Sequence, residues 1–315
     1  MRILCTGSAG YIGSHFVNRV KGHEILVVDN FSQGENNIID GIEYDEVDIR
    51  DKENLILSFK DFKPDVVVHF AATANVQNAL TRPVDYYDNN VIGTFNVLEC
   101  MREVGCNKII FSSTAAVYKP SNTPLWEGSP KEPVTAYGFT KLVNEEMLKD
   151  YYKAYGINSI SFRYFCASGC DKDLKVGCYH DPETQVIPNI VKTLLGKQQV
   201  FNVWGNDFKT PDGTGVRDYV HVDDIADAHI LAMENITGCE IYNLGINQGY
   251  SVLELIKKAE ELTGKKLNYK ISPRRGADPA KLVADCSKVN KELGWNPKNG
   301  IDEMIMTDYN FFKTL

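Results

Sequence analysis

Tyr137 and Lys141 stand four residues apart, the spacing that puts two side chains on one face of a helix. An ammonium beside a phenol favours the phenolate. Bringing a tyrosine from a pKa of about 10 to near 7 takes roughly 4 kcal/mol of differential stabilisation. A tyrosine tuned in this way takes a proton from a hydroxyl as hydride leaves the same carbon. The spacing alone proves little, because Tyr309 and Lys313 repeat it in what reads as a packed, amphipathic tail. The first pair is set apart by its place after the apolar run Lys108–Ser113. Thr114 ends that run and offers a hydroxyl to relay the proton between Tyr137 and a substrate.

Gly7, Gly10 and Gly13 form a second group, in GSAGYIG. Glycine permits a tight turn and close backbone approach to a pyrophosphate, and a following helix N-terminus adds unpaired N–H groups and a positive dipole end. Many turns hold three glycines, but these lie between a strand pattern and a helix pattern, and Asp29 ends the next strand. An aspartate there accepts hydrogen bonds from adenosine ribose hydroxyls. Asn30, Phe31 and Ser32 follow it without an Arg or Lys to balance a 2′-phosphate, which favours NAD over NADP. An oxidised nicotinamide cation would add to the pull on Tyr137. The plainer alternative is a structural turn with a capping aspartate.

The elements that must position these residues alternate. Arg2–Thr6, Glu24–Asp29, Asp65–Phe70, Lys108–Ser113 and Ser159–Tyr164 read as strands, near-continuous apolar runs suited to a parallel sheet covered on both faces. Helical patterns fall near 12–21, 51–60, 84–104 and 137–155. The expected fold is α/β, a doubly wound parallel-sheet Rossmann domain over residues 1–165 with a smaller α/β substrate domain over 166–315. In the second half Pro188 is expected to open a helix, and Ser251 with Glu254 to cap one that stops near Gly264. Part of about 216–233, notably Val222–Met233, is expected to pack back on the first domain.

Composition narrows the partners. The chain has 315 residues, 43% hydrophobic and 24% charged, with a formal net charge of −8, which excludes disordered and collagen-like readings and disfavours nucleic acid or a membrane surface as partner. No leader pattern or long apolar run is seen, so the expected location is cytoplasmic. Eight cysteines are mostly scattered; Cys166, Cys170 and Cys178 with His180 form one cluster whose spacings fit no familiar zinc site, and no metal is expected.

The segments GSAGYIGSH, VVDN, HFAA, YYDNNVIGT, FSSTAAVY, YGFTK, RYF and GTGVRDYVHVDD together resemble the extended short-chain dehydrogenase/reductase family. Within it the chain is most similar to the UDP-galactose (UDP-glucose) 4-epimerase group, from residue 1 to about Pro297. The resemblance implies an isomerase, a homodimer with bound NAD and a UDP-sugar substrate. It implies cofactor contacts at Tyr11, Ile12, Asp48, Ile49, Phe70, Ala71, Ala72, Asn89, Ser112 and Tyr164 beside those already named. It implies C4 epimerisation of a UDP-hexose through a transient 4-keto sugar, with Tyr137 as base and no net redox change.

Ala115 and Ala116 stand where related dehydratases carry acidic residues, so elimination is disfavoured. Arg217, Arg275 and Asp278 match positions that hold the UDP pyrophosphate and ribose in the epimerases, while Gln185, Val186, Val203 and Trp204 match the uridine end. Two departures stand out: Cys166 replaces an asparagine that contacts the sugar nucleotide, and Thr73-Ala74-Asn75 replaces a segment that often carries a basic or aromatic side chain. Leu282, seven residues after Arg275, matches a position that gates the sugar 2-substituent, where leucine leaves more room than tyrosine. It reads equally as a core residue of a strand including Val283. Alternatives are a 4-epimerase of UDP-N-acetylhexosamine or UDP-uronate, and a non-catalytic NAD-binding regulator.

Overall fold

The computed structural model of the protein describes residues 1–32, 37–180 and 182–315. The chain begins with β1 (Arg2–Thr6), α1 (Tyr11–Arg19), β2 (Glu24–Asp29), β3 (Glu43–Glu46), α2 (Lys52–Phe62) and β4 (Val66–His69). Then come α3 (Pro83–Tyr86), a π-helical stretch Tyr87–Ile92, α4 (Gly93–Val104), β5 (Lys108–Thr114), α5 (Ala136–Tyr155), β6 (Asn158–Tyr164) and β7 (Cys166–Ser168). The remainder holds α6 (Val186–Leu194), β8 (Phe201–Trp204), β9 (Val216–His221), α7 (Val222–Met233), β10 (Cys239–Leu244), β11 (Gly249–Ser251) and α8 (Val252–Thr263). It ends with β12 (Tyr269–Ser272), β13 (Lys281–Leu282), α9 (Ser287–Leu293) and α10 (Ile301–Thr314).

Seven strands make one sheet in the order β10-β6-β5-β4-β1-β2-β3, with every adjacent pair parallel. The central strands are apolar along their whole length because helices cover both faces; β4 is buried at all four positions. The order reverses between β1 and β4, and ligands of such sheets bind beyond the strand C-termini at that crevice. Two strands were not anticipated. β3 is short, acidic and at the sheet edge, and β10 comes from the second half of the chain to pair with β6.

Helix ends follow local chemistry. Thr135 caps α5 by accepting from the Gly138 N–H, and Gly156 ends it in left-handed backbone. Ser251 and Glu254 form the expected reciprocal cap of α8, which stops at Gly264. α6 starts two residues earlier than expected, at Val186, so Pro188 sits inside its first turn, where its missing N–H costs nothing. The stretch 84–104 is helical throughout, as expected, but not uniformly α: a π turn lies between α3 and α4.

The smaller lobe is built on β9, flanked by β11, β13 and β7, with a separate β8–β12 pair. α7 lies against α1, tied by His15 Nδ1 to Asp223 at 2.7 Å and by Arg19 to Asp227. No helix among the described residues is long and apolar enough to cross a membrane.

Candidate active site

The turn after β1 is shaped by one close approach. Gly7 has φ +72°, and a Cβ there would run into the Ala71 backbone after β4. Its N–H donates to the Val28 carbonyl at 2.9 Å, which brings the loop beside the end of β2. Asp29 closes that strand, its two carboxylate oxygens accepting from the Ala9 and Phe31 N–H groups at 2.9 Å each. Burial pushes the Asp29 carboxyl up, against these bonds. Each oxygen retains a lone pair for a ribose hydroxyl.

A single cavity runs from this loop across the strand ends. It is lined by Gly7, Gly10, Tyr11, Ile12, Gly13, Asp29, Asn30, Ser32, Ile49, Phe70, Ala71, Ala72, Asn89, Ser112, Tyr137, Lys141, Tyr164 and Gln185, all anticipated from sequence. Asp48 does not line it: its carboxylate is held by Arg50 and Asn30 at the rim, which keeps its pKa well below the usual carboxylate range. Val28, Val47, Thr73, Ala74, Ala167 and His180 complete the wall; of these the sequence marks Thr73-Ala74 as a departure from the family and His180 only as part of a cysteine cluster, and it misses Val28, Val47 and Ala167 as wall residues.

α5 brings Tyr137 and Lys141 to one side of the cavity. Gly138 makes this possible, because a Cβ there would strike the Ala116 carbonyl just after β5. The Thr114 side chain lies close enough to the Tyr137 phenol to favour its ionised form, as a relay hydroxyl should. The lowering expected from Lys141 together with a nicotinamide cation is not seen in the chain alone. Burial pushes the Tyr137 phenol up, and Thr114 opposes this. Lys141 donates to the Ser112 carbonyl at 2.7 Å and lies over the Phe111 ring, and burial lowers its own pKa to about 7, with Glu145 opposing. The protein alone therefore favours a phenol and weakens the ammonium.

The buried side of α5 continues through Asn144 and Glu145. Asn144 donates to the Asn90 carbonyl at 2.8 Å, while the Asn90 side chain bridges Thr73 and Thr140. Glu145 accepts from Ser113 at 2.6 Å and from Arg163 on β6. The spacing of Glu145, four residues after Lys141, was the available signal.

The residues expected to hold the sugar nucleotide gather in the smaller lobe. Arg275 pairs with Asp278 at 2.9 Å and lies over the Trp204 ring, 5.9 Å from its centroid. Cys166 is half-buried near Arg217 and Asp278, and desolvation raises its thiol to about 11. Leu282 is half-buried on β13, in register with Arg217 on β9, and packs against the main core. Gln185 and Val186 begin α6 beside the cavity. Val203 departs from expectation: its side chain lies wholly in the smaller lobe's core, and its strand turns Trp204, 41% exposed, outward instead.

A parallel doubly wound sheet with a glycine loop, an acidic strand end and a Tyr–Lys pair defines a nucleotide-dependent enzyme class, and the chain belongs to the NAD dependent epimerase/dehydratase family, whose model matches residues 3–245. It is 39% identical over 322 residues to UDP-glucose 4-epimerase of Lactobacillus helveticus, covering 100% of this chain and 98% of that protein. Among solved structures it resembles UDP-glucose 4-epimerase from Bifidobacterium longum in complex with NAD+ and UDP, with TM-score 0.95, 35% identity and coverage of 100% and 98%. The UDP-Glc/GlcNAc 4-epimerase from Campylobacter jejuni superposes with TM-score 0.84 at 34% identity, covering 100% and 99%.

Proposed function

We propose that the chain interconverts the C4 epimers UDP-glucose and UDP-galactose, using a permanently bound NAD. The observation that carries this reading is the arrangement of Tyr137 and Lys141 on the same cavity as the glycine loop and Asp29, with Thr114 behind the wall beside Tyr137. That cavity fits a dinucleotide: Gly7 leaves backbone exposed where any side chain would collide, and Asp29 stands at the end of β2. Bound NAD would supply the acceptor that takes the C4 hydride and returns it.

The protein's own residues handle protons and position. Tyr137 takes the proton of the C4 hydroxyl, with Thr114 as relay, and returns it to the C4 oxygen as the carbonyl is reduced. Because burial raises Tyr137, its activation depends on positive charge entering the cavity. Arg217 and Arg275 hold the UDP pyrophosphate while the 4-keto sugar turns to present its other face. Ala115 and Ala116 offer no acid or base for elimination. A non-catalytic NAD-binding regulator would have no use for the Thr114–Tyr137 contact.

A second reading, acceptance of UDP-N-acetylhexosamine, is favoured by Leu282, half-buried beside Arg217. A homodimer is supported by apolar side chains exposed on adjacent helices, Val84 on α3, Phe95 on α4 and Phe139 on α5, with Tyr87 between α3 and α4. Sedimentation velocity tests that assembly. The activity is tested by incubating the protein with a panel of UDP-sugars and resolving C4 epimers by NMR without added cofactor. Accumulation of NADH from stoichiometric external NAD would indicate a net dehydrogenase instead.

A further inference from the structure

Where the smaller lobe meets the cavity, a thiol, an imidazole and a carboxylate converge that the proposed reaction does not use. Cys178 Sγ lies 3.2 Å from His180 Nδ1 and 3.2 Å from Glu183 Oε2. His180 Nδ1 is 3.9 Å from Glu183 Oε1. One donor atom from each residue lies within 4.8 Å of the other two. A tetrahedral zinc ion, with bonds of about 2.3 Å to sulfur and about 2.0–2.2 Å to nitrogen and oxygen, sets such atoms roughly 3.4–3.6 Å apart. The Cys178–His180 and Cys178–Glu183 Oε2 separations are each within about half an ångström of that spacing, while His180 Nδ1 stands 3.9 Å from the other carboxylate oxygen, Oε1.

The surroundings hold the carboxylate in place. Glu183 Oε1 accepts from the Thr184 and Gln185 N–H groups at 2.8 Å each, which leaves Oε2 turned to Cys178. Behind it Asp308 is wholly buried: one oxygen accepts from Cys170 Sγ at 3.0 Å and the other has no hydrogen-bond partner among the described residues. Lys192, 3.7 Å from Glu183, is the lysine beside this acidic patch. A divalent cation would offset the crowding that one ammonium leaves, and its binding would release the thiol proton to solvent.

We propose that Cys178, His180 and Glu183 bind a zinc-class divalent ion, with water at the fourth position. Its role is structural. His180 and Gln185 both line the cofactor cavity, and the His180 ring stands edge-on to Tyr11 at 5.9 Å. The ion pins these two wall residues to one another and, through Tyr11, to the start of α1. Cys166, sequence neighbour of this group, takes no part; it faces Arg217 and Asp278.

The test uses the purified NAD-loaded protein and Co2+ as probe. One cobalt per chain is expected, with thiolate-to-cobalt charge-transfer absorption and tetrahedral visible bands, both abolished by one equivalent of Zn2+. Zn2+ alone should raise Tm. Cys178→Ser should lose the charge-transfer band and bind zinc at least about 100-fold more weakly, beyond what loss of an outer-shell partner causes. His180→Asn should weaken binding while keeping the charge-transfer band, which serves if Cys178→Ser fails to fold. Cys239→Ala, on β10, should bind as the parent does. Absence of a thiolate band in the parent, or its persistence in Cys178→Ser, overturns the proposal. None of these readouts depends on epimerase activity.

Discussion

Arg163 and Glu145 form a two-pronged ion pair, Nε to Oε1 at 2.8 Å and Nη2 to Oε2 at 2.6 Å, with both side chains wholly excluded from solvent. The pair joins β6 to α5 behind the cavity, and Glu145 also accepts from Ser113 on β5. Glu145→Gln leaves the guanidinium buried without its counter-charge. The expected loss is about 3–5 kcal/mol of folding stability, read by urea unfolding. Pairing that change with Arg163→Met should recover part of it; no recovery would show that the pair's role is packing alone.

Tyr137→Phe is expected to keep the fold and NAD yet lose epimerisation by several orders of magnitude, each tenfold being about 1.4 kcal/mol of transition-state stabilisation. Thr114→Val should be less damaging, since water can replace one relay hydroxyl. Tyr309→Phe, the same spacing on α10, should leave turnover almost unchanged. Near-normal turnover in Tyr137→Phe would remove the assigned base.

The burial of Lys141 makes stability depend on pH. Its folded pKa is about 7 against about 10.5 ordinarily, so between those values the unfolded chain binds a proton that the folded chain lacks. Unfolding free energy therefore rises with pH across that window, and the full penalty is present below it. In cofactor-free protein, Lys141→Met should gain stability over the parent most near pH 6 and least near pH 10. Parallel curves would mean that Lys141 keeps its ordinary pKa.

Asp29→Ala should weaken NAD binding and reduce discrimination against NADP, because the carboxylate that would accept the ribose hydroxyls is removed. Identifying the nucleotide released on denaturation checks which cofactor the parent carries. Equal weakening for both nucleotides would assign Asp29 to holding Ala9 and Phe31 in place.

Leu282→Tyr should reduce turnover of UDP-N-acetylglucosamine far more than that of UDP-glucose, measured side by side. Equal losses on both sugars would make Leu282 a packing residue of β13. No turnover of the acetamido sugar by the parent would end the gate reading.

What sequence could show depended on how far each signal reaches along the chain. β1, β2, β4, β5 and β6 were legible because burial on both faces demands continuous apolar runs. β3 carries Glu-Tyr-Asp-Glu, which has no strand signature; it forms because β2 offers it an edge. β10 joins the main sheet from a distant part of the chain, a pairing no local pattern encodes. The cavity's glycine loop and Tyr–Lys pair were visible as motifs. The Asn90–Asn144 contact and the Glu145–Arg163 pair were not, since each partner is chosen by the fold. The burial that pushes the Tyr137 phenol up was not legible for a related reason: spacing places an ammonium nearby but says nothing of how far the phenol is taken from water.

The π turn at Tyr87–Ile92 has a consequence for which changes this chain tolerates. A π turn holds one residue more than the α pitch accommodates, and each residue of an α-helix advances about 100° around its axis. Asn89 faces the cavity while Asn90 is buried against Thr73 and Thr140, so both are fixed by that surplus residue. Deleting any one of the six would let the helix run on regularly and rotate the two asparagines out of place together. Length is therefore constrained here more tightly than identity: conservative replacements at Val91 or Ile92 leave the phase intact, whereas a single-codon deletion resets it.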